Sequence, residues 1–525
     1  MSIQNLGNYR GHDLLTSNPT LALTLQVFDG ISNHPRPSKE EEAVRAHLEA
    51  LARTQGWEVK RDGIGNLAIR VKASPGKEDV TPVVMQGHMD IVTFPGDEQS
   101  PRQAEIIDKG EEGDERGLWM QTVGQAMTLG SDNGIGVSMA FALMMDPTLE
   151  HGPVTILLTV DEESGMSGAK NLDPDLLPET GILLNFDSEE GSTKICIGCA
   201  GSGDTVASFP IGDREALPEG HLLLDLELKD FPGGHSGVEI HKGRGNAIQS
   251  LAELLCRFQT QGADLRVVSI DGGQKRNAIP NSARARIAVA EGSAAFLPGV
   301  IEEFLAEIKT ERAVENPTMT GELLSKNARG VTAHLTPTES VEAVGAFSAD
   351  FQARVLAAII ETPQGPSQSA ELPNVGELVT VSNNLGLVET KTDGFVELAS
   401  MSRAARIEEM RTKMEEIRSL YASKGADVKQ EEPTAGWLED PDTSAAVSVV
   451  MDAVREAAGE AELMAYHAGL EAGLVAGKAR GSMSAVSVGP LIVDAHTRRE
   501  RVKLSSVADV LTAMRKVFER ITNIN

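Results

Sequence analysis

Several stretches carry side chains able to hold a cation. His88-Met89-Asp90 follows the apolar run from Pro82 to Met85, and Asp132 lies in Gly130-Ser131-Asp132-Asn133-Gly134. Glu162-Glu163 follows Val154–Val160, Asp187 follows Ile182–Phe186, and His496 follows Ala485–Val488 near the C-terminal end. Histidines and carboxylates with no thiol among them suit zinc or another divalent first-row ion. The donors outnumber what one ion needs. Two ions account for them, with His88 and Asp187 on one, Glu163 and His496 on the other, and Asp132 shared. Such a pair holds a water, lowers its pKa and stabilises charge developing on an oxygen. Asp90 is not needed as a ligand and suits the partner of the second imidazole N–H of His88, which fixes the ring tautomer. Glu162, beside the ligand Glu163, suits a general base that takes a proton from that water and passes it to a leaving amine.

Taken singly, each stretch has an ordinary reading. His-x-Asp is a common loop, Glu162-Glu163 a solvated acidic pair, Asp132 a turn residue and Asp187-Ser188-Glu189-Glu190 a helix start. The metal reading rests on their joint pattern, each at the end of an apolar run.

The elements that must position them alternate between strand and helix. Leu21–Ile31 and Lys39–Thr54 read as amphipathic helices separated by Pro35-Arg36-Pro37, with Ser38 as N-cap of the second. Trp57–Arg61 and Asn66–Val71 read as strands, and the strand ending at His88 comes next. Thr93–Gln125 reads as a polar surface excursion, and Gly134–Met145 as a buried helix. Strands Val154–Val160 and Ile182–Phe186 complete an α/β sheet with ligands at the carboxyl ends of its strands. From His221 the pattern changes. Leu222, Leu224, Leu226 and Leu228 alternate as in a sheet with one wet face. Helix Asn246–Gln259, strands Leu265–Ile270 and Arg284–Ala290 and helix Val300–Lys309 form one lobe. After a linker around Asn316–Gly321, helix Phe347–Ile360, strands Leu378–Ser382 and Phe395–Met401 and helix Ala404–Ala422 form a second. Helix Ser444–Ala458, strand Ser484–Val488 and helix Ser505–Ile521 return to the first pattern. The expected organisation is an α/β catalytic domain in two parts, 1–205 and 431–525, interrupted by an α+β two-lobed lid, 206–430. The metal candidates fall on both sides of the insertion and none inside it.

Composition bounds the function classes. A formal charge of −29 over 525 residues argues against a nucleic-acid partner, which needs a basic face. No apolar run approaches the length of a membrane span, and the N-terminus lacks the pattern of a secretory signal. Three cysteines suggest a reducing compartment, so a cytoplasmic location is expected; Cys196-x-x-Cys199 reads as packing more than as a redox or zinc site.

Together these motifs resemble the aminoacyl-histidine dipeptidases (Xaa-His dipeptidases, carnosinase-like), among the co-catalytic dizinc peptidases that include carboxypeptidase G and peptidase T. The matching stretches are Gln86–Asp90, Gly130–Gly136, Asp161–Met166, Asp187–Glu190, Gly233–Gly237, Arg276–Pro280 and His467–Glu471. The resemblance implies hydrolysis of unblocked dipeptides, Xaa-His among them, with two zinc ions per chain, Co2+ or Mn2+ as substitutes, and a homodimer as an open possibility. It implies the same ligands, His88, Asp132, Glu163, Asp187 and His496, with Asp90 and Glu162 catalytic. In the lid it implies that His235 stabilises the oxyanion and that Asn277 and Arg403 bind substrate, Arg403 at the C-terminal carboxylate. In single-lobed relatives the histidine comes from a neighbouring subunit; with two lobes, His235 is expected to act within its own chain. One motif departs: Ala495-His496-Thr497-Arg498-Arg499-Glu500 stands where the family usually reads Pro-His-Ser-Pro-Asp-Glu. The departure leaves fine specificity open. The readings also left open are a deacylase or tripeptidase on the same scaffold and a non-catalytic small-molecule binder.

Overall fold

In the computed structural model the described residues are all except 1–2, 4–5, 10, 111–115, 218, 312–329, 339–344 and 522–525. They form two compact units. The first comprises Met1–Cys199, Glu371–Gly376 and Gly436–Asn525; the second comprises Ala200–Ala370 and Glu377–Ala435. The linker expected around Asn316–Gly321 lies outside the described residues.

The first unit is built on a nine-stranded sheet. Its order is Glu58–Arg61, Leu67–Val71, Val154–Thr159, Val83–His88, Gly181–Asn185, Met483–Val488, Lys194–Cys199 and Trp437–Leu438, with Glu462–Tyr466 also pairing with Lys194–Cys199. The strands from Val154–Thr159 to Met483–Val488 run parallel, which explains why they read as continuous apolar runs: both faces are covered. On one face Val83, Met85, Ile156, Leu158 and Leu184 pack with helices Pro19–Ser32, Ser131–Met145, Ala445–Ala458 and Leu504–Ile521. On the other, Val84, Leu157, Leu183 and Ala485 pack with Cys196, Cys199 and helix Glu471–Ala476. Both cysteines are buried and free, and burial pushes the Cys196 thiol up.

Helix Ser131–Met145 is apolar nearly all round and buried along almost its whole length, as a helix wedged between layers must be. Parallel pairing puts the carboxyl ends of Val83–His88, Val154–Thr159 and Gly181–Asn185 side by side, so the residues just beyond them meet.

Most strands of the second unit also form a nine-stranded sheet, antiparallel from Thr332–Pro337 through to Asp427–Gln430, while Gly234–His235 and Ala278–Ile279 pair separately. Its order is Thr332–Pro337, His221–Lys229, Ala283–Ala290, Leu265–Gly272, Gly376–Thr390, Phe395–Ala404, Gly201–Pro210 and Asp427–Gln430, with Gly365–Leu372 beside Gly376–Thr390. The two groups of strands meet at a single pair, Gly272 and Val388. Helices Ala247–Thr260, Leu297–Glu311, Ala349–Glu361 and Ile407–Ser423 cover one face. Leu224, Leu226 and Leu228 point into that core, but Leu222 at the strand's start does not; it is 42% exposed.

Two local expectations fail. The segment Thr93–Gln125 is not simply a surface excursion: Ala104–Asp108 and Leu118–Thr122 are strands of a four-stranded sheet with Ile492–Val493 and Arg501–Lys503, and Trp119 is buried. The second helix begins at Glu42, so Ser38 is not its N-cap. No described helix is long and apolar enough to cross a membrane.

Candidate active site

His88 is the last residue of its strand, Glu162 and Glu163 open a short helix after Val154–Thr159, and Asp187 lies two residues beyond Asn185. These ends converge. His88 Nε2 lies 2.9 Å from Asp132 Oδ1 and 3.3 Å from Asp187 Oδ1. His496 Nε2 lies 2.8 Å from the other Asp132 oxygen and 3.0 Å from Glu163 Oε2. The donors fall into two triplets, His88–Asp132–Asp187 and Asp132–Glu163–His496, that share Asp132. A further triplet, His88–Glu162–Glu163, brings Glu162 against both. His496 is half-exposed, so the group opens to solvent on its side, and its φ of 60° is in the left-handed region that non-glycine residues enter only when held there.

The electrostatics are those of several buried carboxylates crowded around two imidazoles. Hydrogen bonds to Asp132 and Glu163 push His496 up to about 11. Burial works against His88, but Asp187 and Asp132 outweigh it and hold the ring well above its usual range. Burial opposes ionisation of Asp132, yet the two imidazoles win and hold it low. The carboxylates around it go the other way. Burial raises Asp187 to about 6 and Glu189 to about 10, and it pushes Glu163 up and Glu162 well up, reinforced by neighbouring negative charge. Protons on these groups neutralise charge that divalent cations would neutralise. An all oxygen-and-nitrogen donor set, imidazole Nε2 atoms facing carboxylates, and a buried Glu163 Oε1 without a hydrogen-bond partner fit zinc or a similar ion.

A second layer of residues fixes this cage. Asp90 accepts hydrogen bonds from the backbone N–H groups of Glu162 (2.9 Å) and Glu163 (3.1 Å) and from Ser38 Oγ (2.8 Å). Its Oδ1 is 3.4 Å from His88 Nδ1, which is also 3.1 Å from the Asp90 carbonyl. One carboxylate therefore aims both the ligand histidine and the Glu162-Glu163 turn. Asn133 donates to Asp187 Oδ1 (2.8 Å) and the Phe186 carbonyl (2.7 Å). Its Oδ1 lies where a Cβ on Gly87 or Gly136 would stand, at 2.2 and 2.4 Å, so those two positions must be glycine. The loop carrying Asp132 is held from both sides. Glu500 accepts from the N–H of Leu129, Gly130 and Ser131 at 3.0, 3.2 and 2.7 Å, and Arg36 donates to the Gly130 and Met89 carbonyls at 2.6 and 2.9 Å. Glu41 accepts from the N–H of Asp161 at 3.0 Å. Arg36, Ser38 and Glu41 went unrecognised in the sequence, where the segment reads as a helix break and cap. An Arg set between two prolines, Pro35-Arg36-Pro37, was the available signal.

The three remaining candidates lie in the second unit, near one another. His235 is in the strand Gly234–His235, whose partner is Ala278–Ile279, and the Asn277 carbonyl accepts the Ser236 N–H at 2.9 Å. His235 Nδ1 accepts the backbone N–H groups of Gly237 and Val238, which leaves Nε2 as the protonated nitrogen. Burial and then the charge of Arg403 hold this ring below its usual range, so it is a neutral N–H donor at neutral pH. Arg403 is buried in the strand Phe395–Ala404, opposite Ser202 and Ser382.

A cavity of about 240 Å³ opens on the donor group, lined by Glu162, Glu189, Tyr466, Gly469 and His496 among others. That is below the roughly 300–1,000 Å³ of drug-sized pockets and suits a small substrate. A larger cleft of about 580 Å³ in the second unit is lined by side chains that pair with one another, such as Arg286 with Asp225 at 2.9 Å, and groups no comparable donors among the described residues.

Comparison with known proteins agrees with this geometry. Residues 226–316 match the peptidase dimerisation domain of the M20 family. The chain is 34% identical over 506 residues, 94% of its length and 96% of the relative's, to the cytosol non-specific dipeptidase of Escherichia coli K12. It superposes on the crystal structure of aminoacylhistidine dipeptidase from Vibrio alginolyticus with a TM-score of 0.80 and 31% identity, covering 97% of this chain and 98% of that one. A tripeptidase from Staphylococcus aureus shares the fold at 14% identity and a TM-score of 0.52. The chain belongs to the M20 family of metallopeptidases, peptide-bond hydrolases of mixed α/β fold that bind divalent metal. Within that family it is a dipeptidase.

Proposed function

We propose that the chain hydrolyses unblocked dipeptides, Xaa-His dipeptides among them, in the cytoplasm, with two zinc ions per chain and Glu162 as the general base. The observation that carries this reading is the pair of donor triplets sharing Asp132, with Glu162 beside both. His88, Asp132, Glu163, Asp187 and His496 would hold two zinc ions there, which would supply Lewis acidity to a carbonyl and acidity to a water. Co2+ or Mn2+ can stand in for zinc.

The residues then divide the work. Asp90 keeps His88 Nε2 aimed at the donor group and anchors the turn that carries Glu162. Glu162 accepts a proton from the attacking water at its carboxylate and returns it to the nitrogen of the leaving amino acid. His235, a neutral Nε2–H donor, is the candidate for stabilising the oxyanion, and Asn277 and Arg403 are the candidates for binding the substrate. The match to a dimerisation domain over residues 226–316 supports a homodimer. The two relatives are named for different breadths of substrate, non-specific and aminoacylhistidine, so breadth is a question for assay.

The test joins elemental analysis to a substrate panel of Xaa-His and other dipeptides, tripeptides and N-acyl amino acids. Two zinc ions per chain and turnover confined to dipeptides with a free amine are expected. A single ion at saturation, or preference for tripeptides or N-acyl substrates, refutes the reading. Glu162→Gln should lower kcat by roughly 10²- to 10⁴-fold at unchanged metal content. Loss of metal instead would exchange the roles of Glu162 and Glu163.

A further inference from the structure

Beneath the donor group runs a chain of polar side chains through the apolar centre of the first sheet. Glu471, fully buried, opens the helix Glu471–Ala476. Its Oε2 accepts hydrogen bonds from Gln86 Nε2 at 2.7 Å and from Thr159 Oγ1. Gln86 Oε1 in turn accepts from Asn185 Nδ2 at 2.6 Å, and Asn185 Oδ1 accepts from Ser487 Oγ and from the backbone N–H of Asp187 at 3.2 Å. The four linked residues sit on four adjacent strands, Val154–Thr159, Val83–His88, Gly181–Asn185 and Met483–Val488. Gln86 stands two residues before His88, Asn185 two before Asp187, and the Thr159 carbonyl accepts the Met89 N–H at 2.9 Å.

We propose that Glu471 is a positioning residue for hydrolysis: through this chain it fixes the relative placement of the strand ends carrying His88 and Asp187, and so the spacing of the metal donors. Folding alone does not require it. Apolar residues of matching shape fill a sheet centre at no loss of stability, and often with a gain. A connected polar chain instead fixes one register of the strands it crosses, because any slip leaves buried donors and acceptors unpaired. The two central members of this chain lie two residues behind His88 and Asp187 rather than elsewhere in the sheet. Glu471 Oε1 has no hydrogen-bond partner, so the carboxyl is held through one oxygen only. An amide can supply that oxygen, which separates hydrogen bonding from charge.

The inference rests on the donor assignment proposed above, and the test separates the two. Metal-free full-length protein is titrated with zinc alone, and kcat and KM are measured after reloading, for wild type, Glu471→Gln and Glu471→Ala. If wild type binds no zinc, the donor assignment fails and this inference with it. If wild type binds, Glu471→Ala should weaken zinc binding about 10- to 100-fold and lower kcat with KM within about threefold, as for residues behind metal ligands. Glu471→Gln should stay within about threefold of wild type in all three. Zinc affinity and kcat of Glu471→Ala within twofold of wild type would overturn the inference. So would a folded Glu471→Gln as impaired as Glu471→Ala. Should Glu471→Ala fail to fold, Thr159→Val and Ser487→Ala cut the chain at either end with little change of volume. The same loss of zinc affinity is then expected, and wild-type affinity in both is the refuting result.

Discussion

Removing the carboxylate of Glu500 tests how the loop bearing Asp132 is held. Glu500 is 2% exposed and takes its closest hydrogen bonds from Leu129 N at 3.0 Å, Ser131 N at 2.7 Å and Ser131 Oγ at 2.6 Å, with Gly130 N and Asp132 N farther off at 3.2 and 3.4 Å. In Glu500→Ala the three closest donors lose their acceptor. At about 1–3 kcal/mol for each buried unsatisfied group the loss spans roughly 3–9 kcal/mol. Water entering the space left by the side chain moves the value toward the low end, about 3–5 kcal/mol. At about 1–2 °C per kcal/mol for a unit of about 300 residues the midpoint of unfolding should fall by roughly 3–10 °C. Glu500→Gln keeps one acceptor and turns an amide against the remaining N–H groups, so it should fall about half as far. Thermal unfolding followed by circular dichroism on chelator-treated protein excludes any contribution from bound metal. Elemental analysis after reloading should then show both ions lost together, because the displaced loop carries the shared Asp132. A Glu500→Ala midpoint within 2 °C of wild type would refute the reasoning, since it would mean that the Arg36 hydrogen bonds to Gly130 and Met89 hold the loop alone.

The same geometry gives other expected outcomes. Asp132→Ala should abolish binding of both ions, whereas His496→Ala should weaken mainly one; zinc titration separates the two patterns, and equal effects would remove Asp132 from its shared position. Zinc loading should release at least two protons, one from each imidazole and further ones from the buried carboxylates, because His496 is pushed up to about 11, His88 lies well above its usual range and burial raises Glu163 and Glu189. Affinity should therefore rise with pH across the neutral range, and calorimetry in buffers of different ionisation enthalpy counts the protons; no buffer dependence would contradict the protonated cage. His235→Ala should lower kcat more than it raises KM. Mixing inactive His235→Ala and Glu162→Gln chains under subunit exchange should leave the mixture inactive if His235 serves its own chain, and recovery would mean that it serves a partner.

The donors were legible in the sequence because parallel strands buried on both faces announce themselves as apolar runs, and the residues just past each run must gather at one edge. His88, Glu162-Glu163 and Asp187 needed only that rule. Their supports were hidden for different reasons. Ser38 ahead of Glu40-Glu41-Glu42 has every local mark of a helix cap, yet its hydroxyl serves Asp90, an acceptor from another element. The strands Ala104–Asp108 and Leu118–Thr122 lacked the alternation that marks a strand, because their sheet is completed by Arg501–Lys503 from near the opposite end of the chain. Glu471 stood at the end of the His467–Glu471 motif without a role, since no periodicity reports a hydrogen bond that crosses a sheet.

The sheet of the first unit is completed from its middle. Met483–Val488 lies between Gly181–Asn185 and Lys194–Cys199, two strands that are near neighbours in the chain but not in the sheet. A wedge strand of that kind makes assembly an all-or-nothing closure. A polypeptide ending before residue 483 has an unfilled slot at the centre of its sheet, and it also lacks His496 and the Glu500 clamp on the Asp132 loop. On the donor assignment proposed above, hydrolysis is therefore expected only of chains that carry residues 483–500.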